Sequence, residues 1–221
     1  TLEEAVAAAA NQPAKTLYLC VPVELTAGNI SLLNESDVTF ARCEQDHDDS
    51  LFKVNGAVTL DGAHIDGKGV ASGSALIYVG SGGRLILTGD TMIENGHNTE
   101  SGGAVHVEYG TLTMQGGTIR NTTADASGGG IYANYAEIAV MGGHVSGNRA
   151  NGGNGGGGAY ILDSASTFGA PLGTPSDRTT FNSNTTTQLG GGVMLRHGTH
   201  HINKATFTGN KSYRTGYYYD G

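Results

Sequence analysis

The sequence predicts an all-β fold of the parallel β-helix type, a solenoid of short strands, with an α-helix at its N-terminus. Glycine accounts for 37 of 221 residues, yet 38% of the chain is hydrophobic. Apolar residues recur about every 26 positions, and within each repeat they alternate with polar ones. Short strands at this period, without helices between the repeats, are typical of coils that stack about 4.8 Å apart.

Three columns of apolar residues carry the repeat. Because each column keeps nearly one spacing, we expect its members to touch inside the solenoid. The first column contains Ile65, Met92, Ile119, Val145, Phe181 and Phe207; the second contains Leu60, Leu87, Met114 and Val140, with Ile202 two coils later; the third contains Ile77, Ala104, Ile131, Ala159 and Val193.

An asparagine closes several repeats three residues after the first column. Stacked on one another, these asparagines are predicted to form an amide ladder along the solenoid. Its members are Asn95, Asn148, Asn184 and Asn210, and the repeat at Ile119–Thr122 departs from the pattern.

The composition narrows the class of partner. With 14% charged residues and ample aliphatic ones, the chain can bury a core and does not resemble a disordered segment. A net charge of −8 argues against nucleic acid and against an anionic membrane surface. No apolar run approaches the roughly 20 residues of a membrane span, so membrane insertion is not expected.

The chain divides into a capping segment, residues 1–15, and a β-helix, residues 16–221. Thr1 and Glu4 form the pattern of a capping box, and apolar residues over 2–9 share one helical face. A helix over residues 1–12 is therefore predicted to lie across the N-terminal end of the solenoid, whose exposed strand edges need a cover.

A surplus of ten residues lies between Val145 and Phe181, and we place it in an inserted loop at about 163–178. Loops that project from a regular scaffold often carry function. Two carboxylates in this loop, Asp163 and Asp177, are therefore candidate binding residues.

An aromatic stripe is the second candidate site. The residues that follow the third column point outward, and they read Tyr78, Val105, Tyr132, Tyr160 and Met194. Stacked tyrosines suit sugar rings and protein partners, so Tyr78, Tyr132 and Tyr160 are candidate binding residues. The alternative is that tyrosine simply favours strands and packs on itself.

Cys20 and Cys43 are the two cysteines of the chain, and they fall on adjacent coils. Aligning Leu17 with Val38 puts Cys20 beside Ala41, about two residues from Cys43. Since a disulfide needs Cα atoms within about 7 Å, a bridge between Cys20 and Cys43 stays open at this point.

The repeats resemble two groups of bacterial surface proteins. Gly102-Gly103-Ala104-Val105 and Phe181-Asn182-Ser183-Asn184 are similar to the repeats of polymorphic outer-membrane adhesins. Ile131-Tyr132 after three glycines, with Met141–Asn148, resembles the repeats of very large Gram-positive wall proteins. The likeness covers about residues 56–212. It implies a right-handed β-helix in an extracellular or cell-surface protein, and it implies no particular activity.

These observations favour a non-catalytic adhesin or stalk that presents an outer face to a glycan or to a host or neighbour-cell protein. One alternative is a β-helix glycoside hydrolase or polysaccharide lyase, with Asp61 and Asp66 as the carboxylates. Another is a filament subunit that self-associates through its C-terminal edge. We expect no cofactor and no metal, because alternation sends His200 and His201 to opposite faces.

Overall fold

The computed structural model describes residues 1–26, 33–34, 37–44, 48–170 and 179–214. Within them, one α-helix precedes 25 short strands, numbered here in chain order. The strands of successive coils pair in parallel, so the molecule is the all-β parallel β-solenoid that the repeat predicts. The core runs along the axis of the coils.

Helix α1 spans Leu2–Ala10 and covers the first coil. The hydroxyl of Thr1 accepts a hydrogen bond from the backbone N–H of Glu4 at 3.2 Å, and the Glu4 carboxylate accepts one from the Thr1 amino group at 2.8 Å. This confirms the predicted capping box. Val6 and Ala9 are buried against the core, and the helix ends two residues earlier than predicted, with Asn11 as its C-cap.

Each complete coil passes through four faces. In the coil that starts at Val105, face I is Val105–Glu108, face II is Thr111–Met114, face III is Thr118–Arg120 and face IV is Thr123–Ala124. Glycine-rich turns connect the faces, and the next coil begins on face I at Ile131.

The strands stack into one column per face. Face I consists of β2 (Val23–Leu25), β4 (Phe52–Val54), β8 (Ile77–Val79), β12 (Val105–Glu108), β16 (Ile131–Asn134) and the first halves of β20 (Ala159–Phe168) and β23 (Val193–Ile202). Face II consists of β5 (Ala57–Asp61), β9 (Arg84–Thr88), β13 (Thr111–Met114), β17 (Glu137–Val140) and the second halves of β20 and β23. Face III consists of β1 (Thr16–Leu19), β3 (Thr39–Arg42), β6 (His64–Asp66), β10 (Met92–Glu94), β14 (Thr118–Arg120), β18 (His144–Ser146), β21 (Thr179–Asn182) and β24 (Ala205–Thr208). Face IV consists of β7 (Ala71–Ser72), β11 (His97–Asn98), β15 (Thr123–Ala124), β19 (Arg149–Ala150), β22 (Thr185–Thr186) and β25 (Lys211–Ser212).

The predicted second column is confirmed, with Phe168 filling the coil before Ile202. The other two columns each contain one wrong residue. Ile93, not Met92, pairs with Ile65 and Ile119, and Val105, not Ala104, pairs with Ile77 and Ile131. The spacing from Ile65 to Ile93 is 28 residues, and the spacing from Ile93 to Ile119 is 26. A uniform spacing of 27 therefore selects the residue before the correct one in both columns.

The amide ladder forms at three of the four predicted asparagines. The side-chain N–H of Asn148 donates to the Oδ1 of Asn184 at 3.0 Å, and Asn184 donates in the same way to Asn210. Thr122 takes the next position, where its hydroxyl donates to the Oδ1 of Asn148 at 2.8 Å. Asn95 is not in the ladder; it lies one residue earlier in its coil, in the left-handed region with φ 53°.

Cys20 and Cys43 form a disulfide, with their Cα atoms 5.2 Å apart. The first two coils pair Leu17 with Phe40 and Leu19 with Arg42, so the cysteines follow in the same register. The alignment of Leu17 with Val38 was therefore wrong by two residues.

The surplus segment begins later than predicted. Strand β20 continues to Phe168 and pairs along its length with β23, so Asp163 belongs to a coil corner and not to a loop. The extra residues lie between Phe168 and Thr179. Asp177 and the C-terminal residues 215–221 lie outside the described residues, and end-to-end assembly through that edge stays a prediction.

Candidate binding groove on the outer surface

Face I carries an outward column of aromatic rings. Tyr78, His106, Tyr132 and Tyr160 are in register on four successive coils. Their ring centroids are 5.6, 4.8 and 5.7 Å apart in that order. The column was predicted, but its second member was not: Val105 points into the core and His106 takes the outward position.

A groove of about 360 Å³ runs beside this column. Tyr78, His106 and Tyr132 line it from face I, together with Glu108 and Asn134 from the next outward positions. The opposite wall is the turn that precedes β12, which contributes Asn98, Glu100 and Ser101. The volume lies in the range of ordinary ligand sites.

The turn that forms this wall is held by one buried amide. The Asn98 side chain donates to the carbonyl oxygens of Ser101 at 2.6 Å and Gly102 at 3.1 Å. Its Oδ1 accepts from the backbone N–H of Glu100 at 2.8 Å. With donors and acceptor all used locally, the turn and hence the groove are formed before any ligand arrives.

Burial sets the protonation of the ring-bearing groups. It lowers the pKa of His106 below its usual range, and this outweighs the opposing effects of Glu108 and of a hydrogen bond to the Ser101 backbone. Burial raises the pKa of Tyr78, whose hydroxyl donates to the Oε2 of Glu108 at 3.1 Å. Burial likewise raises the pKa of Tyr132. At neutral pH the groove therefore presents a neutral imidazole and neutral phenols.

Two polar atoms in this region have no hydrogen-bond partner among the described residues. They are the Oδ1 of Asn134, a residue that lines the groove, and the hydroxyl of Tyr160, and both atoms are shielded from solvent. Buried polar atoms are nearly always paired, so each marks a place where a partner is expected. Tyr160 itself is only 1% exposed, so it extends the stack beneath the surface and does not form part of an open outer stripe.

The most exposed aromatic rings lie one position beyond the groove, at the corner between faces I and II. Tyr109 and Tyr135 stack there with centroids 5.3 Å apart and planes 5° from parallel, and they are 56% and 53% exposed. Both have left-handed backbones, with φ of 55° and 49°. Such a conformation is costly for a bulky residue and free for glycine, so an exposed tyrosine there suggests a role for its side chain.

Asp163 and His197 continue the same corner on the next two coils. The His197 Nδ1 and the Asp163 Oδ1 are 3.1 Å apart, in a partly exposed pair. Asp163 thus lies near the aromatic column, although not for the reason that the sequence suggested.

The carboxylates proposed for catalysis do not converge. Asp61 is exposed at the end of face II, whereas Asp66 is buried on face III, in register with Glu94 of the next coil. Burial tends to raise the Asp66 pKa, but hydrogen bonds from Lys68 and Asn95 prevail and lower it. Glu94 is bound by Arg120 at 2.8 Å and by His64 at 2.8 Å. Because Asp61 and Asp66 lie on different faces and the pKa of Asp66 is lowered, the proposed pair does not favour general-acid catalysis.

His200 and His201 of the last coil lie on opposite sides of their strand. His200 occupies the inward column, where its Nδ1 is 2.8 Å from the Ser166 hydroxyl, and His201 pairs with Thr167 on the outer side. No group of three His, Cys, Asp or Glu residues in the described part of the chain is arranged to hold a metal ion. Among those same residues, no helix has the length and apolarity to cross a membrane.

The sequence pattern did not identify several of the groove residues. His106, Glu108, Asn134 and the Asn98–Ser101 turn were missed because the coils were aligned on their double glycines. Aligning "VHVEYG" with "IYANYA" by matching Tyr109 to Tyr135 would have placed His106 opposite Tyr132 and Glu108 opposite Asn134.

Comparisons of the chain with protein-family models, with curated proteins and with solved structures find no match.

Proposed function

We propose that this chain is a non-catalytic module of a secreted or surface-attached protein, acting as an adhesin or stalk that holds a glycan on its outer face. The observation that carries the proposal is the groove on face I, where aromatic rings and two carboxylates meet and the opposite wall is held by Asn98. Sugars are recognised by this mixture, because ring faces pack on their C–H surfaces and polar atoms bond their hydroxyls.

The rigidity of the scaffold supports a binding role. The groove lies on strands paired on both sides, and its opposite wall is fixed by Asn98. A site that needs no ordering keeps more of its interaction energy for the ligand.

A surface habitat is supported by two further observations. The Cys20–Cys43 disulfide is of the kind that persists in oxidising compartments. The resemblance of the repeats to bacterial adhesins and Gram-positive wall proteins points to the same habitat and favours the right-handed form of the helix.

Tyr132→Ala is the variant that tests the proposal. Screened on a broad glycan array and then titrated with the best ligand, the wild-type chain should bind, and Tyr132→Ala should weaken binding at least 10-fold because the central ring of the groove is lost. Tyr18→Ala, which removes an exposed tyrosine on face III of the first coil, should change affinity less than 2-fold. Absence of binding across the array, or equal losses in both variants, would contradict a glycan site in the groove.

A further inference from the structure

The groove is electronegative. Its lining includes two carboxylates, Glu100 and Glu108, and neither lysine nor arginine is among the described residues that line it. Lys53, one coil earlier in the aromatic column, is paired with Asp49 at 2.6 Å. Burial keeps His106 neutral, so no imidazolium offsets the carboxylates at neutral pH.

One carboxylate of the groove has an oxygen with no donor among the described residues. One oxygen of Glu108 accepts a hydrogen bond from the Tyr78 hydroxyl. This bond orients the carboxylate and leaves its other oxygen for a ligand. A positively charged group with N–H donors would pair with that oxygen.

The rings add a second attraction for a cation. Tyr78 and Tyr132 are tilted 56° and 61° from the His106 ring between them, so His106 does not stack parallel on either ring, although Tyr160 does stack on the other side of Tyr132, with planes 8° from parallel. An ammonium group within about 6 Å of a tyrosine ring centre is attracted by the π face, most strongly where water is excluded.

The coil repeat indicates the direction in which a chain-like ligand would lie in the groove. Rings recur once per coil, at 5.6 and 4.8 Å along the groove. This spacing is close to the length of one sugar unit in an extended β-1,4-linked chain. A chain of such sugars, laid along the solenoid axis, would present one unit to each coil.

We propose that the groove recognises a β-1,4-linked amino-sugar chain through an unacetylated amine, with the ammonium held by Glu108 and the sugar rings against Tyr78 and Tyr132. This inference rests on the proposed glycan-binding function and specifies its ligand class. An acetyl group on the nitrogen would remove the charge and two of the three donors.

Calorimetric titration with two defined oligosaccharides tests the inference. The fully deacetylated pentamer of glucosamine should bind at least 10-fold more tightly than the pentamer of N-acetylglucosamine, at a pH where its amines are protonated. Raising the salt concentration should weaken the deacetylated ligand more than the acetylated one, because exposed charge pairs are screened.

Glu108→Gln separates a specific contact from general attraction of a polycation to an acidic protein. It should reduce affinity for the deacetylated pentamer at least 10-fold. Glu137→Gln makes the same charge change on the exposed side of face II and should reduce affinity less than 2-fold. Equal losses in the two variants would overturn the inference.

Two further outcomes would also overturn the amino-sugar assignment. If the acetylated pentamer binds as tightly as the deacetylated one and Tyr132→Ala weakens both, the amine proposal is overturned while the glycan-binding function stands. If a lysine pentapeptide binds more tightly than either sugar and depends on Glu108, the ligand is a cationic protein segment and the amino-sugar assignment fails.

Discussion

The molecule carries two columns of stacked polar or aromatic side chains, one inside the coils and one outside. The inner column consists of Thr122, Asn148, Asn184 and Asn210, and the outer one of Tyr78, His106, Tyr132 and Tyr160. Both repeat once per coil and both place like groups in register. They differ in whether their hydrogen-bonding capacity is used.

Asn184, in the middle of the inner column, uses all of its side-chain hydrogen-bonding groups. The Asn184 side chain donates to the Val145 carbonyl at 2.9 Å and to Asn210 at 3.0 Å, and its Oδ1 accepts from the backbone N–H and the side chain of Asn148. The outer column and its neighbours leave Asn134, Tyr160 and one oxygen of Glu108 without protein partners among the described residues. A hydrogen-bonded column stabilises the fold. In the outer column the Asn134 and Tyr160 atoms are shielded from solvent, so of these three the Glu108 oxygen is the one left for a ligand.

The largest expected effect follows from breaking the inner column. Asn184→Ala removes four hydrogen bonds at a fully buried position and leaves donors of Asn148 unpaired. We expect it to lower the free energy of unfolding by about 4 kcal/mol, measured by urea denaturation. The control Asn182→Ala, exposed on the outer side of the same coil, should change it by less than about 0.5 kcal/mol. Similar losses in both variants would remove the distinction between the columns.

The two columns also differ in how far the sequence revealed them. Asn148, Asn184 and Asn210 were found because each follows an isolated apolar residue at a fixed distance. The outer column was misaligned at His106 because Ala104 and Val105 are both apolar, so hydrophobicity does not say which one points inward.

The same ambiguity explains the error at Met92 and Ile93, which in turn placed Asn95 in the ladder. What the sequence could not supply was the Asn98–Ser101 wall of the groove. The wall depends on hydrogen bonds from one side chain to two carbonyl oxygens, and no periodic pattern records them.

A smaller effect is expected on face III, where Asp66 belongs to an outward network that is already satisfied. Its folded pKa is lowered, so its stabilisation is present above the unfolded value of about 3.9 and is lost as the pH falls through the folded value. Asp66→Asn should therefore cost about 1 kcal/mol from pH 7 to about pH 5, and the difference from wild type should shrink in more acidic solution.

Lys68→Gln provides the matched test for this network, since Lys68 donates to Asp66 at 2.8 Å through both its backbone N–H and its ammonium group. Like Asp66→Asn, it should reduce the change in the free energy of unfolding with pH in acidic solution. Unfolding curves between pH 2 and 7 measure both variants. An Asp66→Asn penalty that grows toward low pH would show that the folded pKa is raised and contradict this account.

The most direct measurement compares one amide from each column by NMR. The side-chain N–H signals of Asn134 and Asn184 can be followed while the deacetylated glucosamine pentamer is added. The account predicts that the Asn134 signals shift in proportion to occupancy and that the Asn184 signals stay in place. Binding that leaves Asn134 unmoved, or that shifts Asn184 to the same extent, would contradict the view that the outer groove takes the ligand while the inner ladder only holds the coils together.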